Sequence, residues 1–211
     1  MNRIFVAVLS LMVLTLVASC SSTTLTASWK NPEYGKFLDK VYIVGVAKNN
    51  TTRRIFEDSF KQELAKTGVA GIVSYKSITA EEDNKDIIMQ KALENRADSI
   101  LISRMVKKRT ETVETPGRIT TYKTGEYYPY NYSPHYRYYN DYYSHRYETI
   151  YEPPTVSRFE VATIESNIYG TDSGELIWSA QFETVVDGNL QRIINDFIAV
   201  VINDLKAKAL I

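Results

Sequence analysis

The chain is almost continuously apolar over residues 4–18, then alternates between β-like and helix-like segments. Val41-Tyr42-Ile43-Val44-Gly45-Val46 is a short apolar run rich in β-branched residues, the pattern of a buried strand. Over 51–67, Phe56, Phe60 and Leu64 recur every fourth residue with Ile55 beside them, which predicts an amphipathic helix stopped at Gly68. A second strand is expected over 69–78. Thr79-Ala80-Glu81-Glu82 reads as a capping box for a helix reaching about Ala97, with Ile88, Met89, Ala92 and Leu93 inward. Residues 99–105 form a third buried strand. From 106 to 114 the chain stays β-like but turns polar, as residues 146–151 do. Two more strands, 159–169 and 175–186, flank Gly170-Thr171-Asp172-Ser173-Gly174, a turn of residues that tolerate positive φ. On the second of them Leu176, Trp178, Ala180 and Phe182 alternate toward a core. Residues 189–210 carry Leu190, Ile193, Ile194, Phe197, Val201 and Leu205 at helical spacing. The order is β-α-β-α-β-β-β-α. It predicts an α/β domain on a single mixed sheet, the first three strands parallel and the last three antiparallel.

The apolar run at 4–18 follows Arg3 and is shorter than the roughly 20 residues that span a bilayer. It has the make-up of a secretory signal. It ends in Val17-Ala18-Ser19-Cys20, which resembles the lipobox of bacterial lipoproteins. The resemblance implies cleavage before Cys20, a diacylglycerol on its sulfur and an amide-linked acyl chain. Two or more chains anchor a protein stably where one does not. Ser21 follows where Asp favours inner-membrane retention, so the resemblance further implies the outer membrane, with the domain on its periplasmic face. The expected organisation is a cleaved signal over 1–19, a lipidated cysteine and tether over 20–36, and the α/β domain over 37–211. A tyrosine-rich insertion occupies 117–151.

Composition removes several classes of function. Cys20 is the only cysteine, so once lipidated it leaves no thiol for a disulfide, a nucleophile or a metal. Arg3 is the only charged residue in 1–19, which leaves 24 basic against 25 acidic residues after cleavage. That balance argues against a nucleic-acid partner, which calls for a basic patch. The two histidines, His135 and His145, do not meet the three converging ligands that a metal requires. No Gly-x-Ser-x-Gly elbow and no phosphate-binding glycine loop occurs. No cofactor, metal or catalytic residue is therefore expected.

Two constellations carry binding chemistry. Lys48, Arg53 and Arg54 surround the start of the first helix, where strand ends and helix N-termini gather anions. The alternative is that Arg53 pairs with Glu57 and Arg54 with Asp58 along the helix. Twelve of the sixteen tyrosines fall between Tyr122 and Tyr151. Tyr127, Tyr128, Tyr130, Tyr132, Tyr136, Tyr138, Tyr139, Tyr142 and Tyr143 follow no helical or strand period, and Pro129 and Pro134 interrupt both. Tyrosine offers contact area at low entropic cost, so these nine are candidate contacts for an envelope protein or a glycan. The alternative is a solvated low-complexity loop.

Residues 40–47 (KVYIVGVA), 54–57 (RIFE), 96–102 (RADSILI) and 172–178 (DSGELIW) together resemble a group of bacterial outer-membrane lipoproteins of unknown function. Their domain is similar to the amino-terminal domain of TolB and to the periplasmic domain of the curli secretion lipoprotein. The resemblance implies the fold and the compartment, and no reaction. The expected function is a non-enzymatic envelope lipoprotein acting as a binding or assembly module. The alternatives are an oligomerising secretion accessory subunit and, behind it, an enzyme.

Overall fold

The computed structural model describes residues 22–79, 84–123 and 147–211. Cys20, residues 80–83, both histidines and the nine tyrosines named above lie outside the described residues. The chain divides into two units, one of residues 1–109 with 160–211 and one of residues 110–159.

The first unit is built from β1 (Thr23–Lys30), β2 (Lys40–Val46), α1 (Asn50–Ala65), β3 (Ala70–Val73), α2 (Lys85–Glu94), β8 (Leu176–Val186), α3 (Leu190–Ala207) and the greater part of β4 (Ser99–Thr115) and β7 (Thr155–Gly170), which both continue into the second unit. The six strands form one sheet in the order β1-β8-β7-β4-β2-β3. Both β3 and β4 run parallel to β2, and β8 pairs antiparallel with both β7 and β1. The α/β class with one mixed sheet is as the sequence pattern predicts.

Alternation along β2 divides its side chains between two cores. Val41 and Ile43 join Phe60, Leu64, Trp178, Phe182, Phe197, Ile198 and Val201 in the larger cluster, which unites α1 and α3 with the sheet. Tyr42 and Val44 join Ile78, Ile88, Ala92 and Ile100 in the smaller one, which covers the β2–β4 region with α2. Trp178 is fully buried, and Phe182 meets Phe197 edge-on at 5.0 Å between ring centroids. The expected register of the last strand therefore holds.

Four expectations change. Residues 23–30 are not tether. Their threonines and Trp29 form β1, zippered to β8 from Thr23 opposite Thr184 to Lys30 opposite Trp178. Pairing across 148 to 161 residues leaves no mark in the local sequence. The strand expected over 69–78 ends at Val73, and Ser74–Lys76 turn as a 3-10 helix. The turn presents Ser74 and the Tyr75 amide to Glu57. The helix expected from Thr79 begins at Lys85, where the Asn84 side chain accepts from the Asp86 amide and caps it. It ends at Glu94, three residues short of Ala97, and Leu93 is exposed rather than inward.

The fourth change concerns the insertion. The second unit, 110–159, contains the tyrosine-rich insertion expected over 117–151. The polar residues 147–151 do not pair with the equally polar 107–114. Instead β5 (Arg118–Lys123) pairs antiparallel with β6 (Tyr147–Glu152), from Arg118 opposite Glu152 to Lys123 opposite Tyr147. The polar residues after Met105 continue β4 to Thr115.

Candidate functional site

The end of β2 and the first turn of α1 are built around Glu57, which has no exposure at all. Its carboxylate accepts from Arg53 Nε at 2.9 Å, Ser74 Oγ at 2.6 Å, the Gly45 amide at 3.1 Å and the Tyr75 amide at 3.0 Å. Arg53 also donates from Nη2 to Ser74 at 2.7 Å and is 4% exposed. Two charges removed from water need this density of bonds to be tolerated. Asn49 caps the helix, accepting from the Thr51 and Thr52 amides. Arg53 thus pairs with Glu57, i to i+4, as the alternative reading of the sequence has it. Arg54 is exposed, with its guanidinium 5.4 Å from the centre of the Tyr75 ring. Tyr75 in turn donates to Asp58 at 3.1 Å, so Arg54 meets the acid of its own helix through an aromatic ring. Lys48 is exposed on the loop after β2.

Beside this network lies an apolar groove of about 180 Å³. Val46 and Met105 from the sheet, Phe56 from α1, and Leu190 and Ile193 from α3 line it, with Thr184 and Val186 at its β8 side. Gly45 lets α1 approach. A Cβ there would meet the Phe56 ring at 2.8 Å. The sequence pattern placed Val46, Phe56, Met105, Leu190 and Ile193 in buried strands or on apolar helix faces and gave no sign that they converge on an opening.

A second depression, about 290 Å³, lies over β1, β8 and β7. Trp29, 47% exposed, borders it with Glu165, Ser179 and Gln181. Asn167 donates to Glu165 at 2.8 Å and Arg104 adds a contact at 3.2 Å. The Asn167 bond, then Arg104, holds the Glu165 carboxyl below the usual carboxylate range. This aromatic beside ionised and amide groups was also missed, because Trp29 was read as tether.

The third feature joins the amino end of the fold to α3. Ser28 Oγ and Trp178 Nε1 both donate to Asp204 Oδ2, at 2.6 and 2.8 Å. Ser22 Oγ donates to Asp196 at 2.9 Å, and the Ser22 carbonyl accepts from the Val185 amide at 2.9 Å. The described chain is thus bonded into the sheet from its first residue. Among the described residues no group of three or more His, Cys, Asp or Glu side chains stands where a metal could be held. No helix among them is long and apolar enough to cross a membrane.

Fold and site together define an α/β domain whose first strand is an integral sheet edge. Among solved structures, the chain is similar to PelC from Paraburkholderia phytofirmans, in two dodecameric crystal forms. One shows 14% identity, a TM-score of 0.46 and coverage of 85% of this chain and 95% of that one. The other shows 13%, 0.46, 87% and 96%. A PDZ domain protein from Parabacteroides distasonis aligns at 10% identity and a TM-score of 0.37, over 84% of this chain and 35% of that one. No protein-family model matches the chain. No curated protein matches it. The likeness to outer-membrane lipoproteins therefore rests on the sequence segments quoted above.

Proposed function

We propose that this chain is a non-enzymatic lipoprotein of the cell envelope, held on the outer membrane by lipid on Cys20 and acting as a binding or assembly module. The observation that carries this is Val17-Ala18-Ser19-Cys20 at the end of an apolar run. It lies immediately before a strand that is hydrogen-bonded into the sheet. A lipid there holds a folded domain rather than a loose tail. In a fractionation experiment with palmitate-analogue labelling, Cys20→Ala is expected to abolish the label and move the protein from the membrane to the soluble fraction. A labelled, sedimenting Cys20→Ala protein would contradict the proposal.

The partner contact in this reading is the tyrosine-rich segment, with the partner an envelope protein or a glycan. The hairpin places Lys123 opposite Tyr147. Replacing residues 124–146 by a short Asn-Gly turn therefore joins two strands already in register. Loop-closure entropy depends only weakly on length, so the melting temperature should stay within a few degrees of wild type. Copurification of envelope partners is expected to fall severalfold. Partner recovery equal to wild type would contradict the assignment.

A further inference from the structure

We propose that the apolar groove at one end of the first unit, framed by Val46, Met105, Leu190 and Ile193, is a membrane-contact face seated on the lipid surface that holds Cys20. The proposal rests on the lipid-anchor reading above.

The first support is reach. Thr23 lies opposite Thr184, their hydroxyls 2.7 Å apart, and Ser22 is bonded to Val185 and Asp196. Thr184 and Val186, on either side of Val185, line the groove. An extended chain spans at most about 3.3–3.6 Å per residue, so Cys20 is anchored within roughly 7 Å of Ser22. Lipid at Cys20 therefore holds the end of the sheet that carries the groove. The opposite end, where β8 begins after Glu175 and the Leu38 amide bonds the Leu210 carbonyl, points away from the anchor.

The second support is exposure. Val46, Met105 and Leu190 all line the groove and are 43%, 55% and 40% exposed. Single exposed apolar side chains are ordinary, whereas a cluster round an apolar groove marks a contact surface.

The third support is the choice of cover. A tether of two residues gives the bilayer an effective concentration at this surface that no soluble partner has. Lys48, exposed two residues beyond Val46, places an ammonium where headgroup phosphates lie once Val46 meets the acyl boundary.

Cys20 is the only cysteine and its sulfur is consumed by the lipid, so one introduced cysteine accepts a nitroxide at a single site. Leu190→Cys and Glu175→Cys are made in the full-length lipidated protein. Each is labelled and reconstituted in vesicles of phosphatidylethanolamine and phosphatidylglycerol. Power saturation with oxygen and with a nickel chelate then reports depth, and flotation reports anchoring. The oxygen-to-nickel accessibility ratio is expected to be severalfold higher at 190 than at 175. Equal, water-like ratios in protein that floats would overturn the membrane face alone and leave the anchor standing. A 190 label shielded from both reagents would overturn it too, by showing that a second copy covers the groove. Protein that does not float would overturn the anchor reading, and the face with it.

Discussion

Trp178→Ala is expected to lower the melting temperature by roughly 6–20 °C, the largest effect of any single substitution in the sheet. Truncating a buried tryptophan costs about 3–5 kcal/mol. In a protein of this size each kcal/mol is worth about 2–4 °C. Trp178 has no exposed surface and sits beside Phe182 at 6.4 Å between ring centroids, with α3 above. Its loss also removes one of the donors that satisfy Asp204, which is 9% exposed. Trp178→Phe separates the two contributions. It keeps most of the ring volume and loses chiefly the bond to Asp204, for which about 1–3 kcal/mol is expected. Thermal unfolding followed by circular dichroism checks both. If the alanine variant melted with the wild type, the β8 register would be inverted.

Glu57→Ala is expected to cost about 3–5 kcal/mol, because it leaves the Arg53 cation buried without its counter-charge. It also strips acceptors from Ser74 and from the Gly45 and Tyr75 amides. Arg53→Met should cost less, since those three donors still hold the carboxylate. The ordering distinguishes a structural ion pair from an anion site. Were Arg53 a ligand-binding residue on the surface, Arg53→Met would leave the urea midpoint unchanged and Glu57→Ala would cost little. Urea titration of both variants at constant m-value measures the difference.

Much of the fold was legible because burial imposes local periodicity. The 3.6-residue period in α3 and the alternation of Trp178, Ala180 and Phe182 are direct records of what each side chain packs against. What escaped was set by partners distant in sequence. β1 carries Thr, Ser and Ala at an edge, where one strand neighbour and a half-covered face impose little apolar pattern. Its pairing with β8 makes it a strand. β3 stops at Val73 because Glu57, seventeen residues earlier, captures Ser74. The site was less legible still. The Arg53–Glu57 pairing was visible as an i to i+4 spacing, but its burial was not. The groove and the Trp29 depression arise only where separate elements converge, and no local window contains them.

In the proposed lipoprotein the folded domain begins two residues after a lipidated cysteine. Intact mass spectrometry of the protein extracted from membranes tests this most directly. The predicted result is a chain that starts at Cys20 and carries a diacylglyceryl group on sulfur and an acyl group on its amine. A chain that retains residues 1–19, or one that starts elsewhere with an unmodified Cys20, would contradict the account.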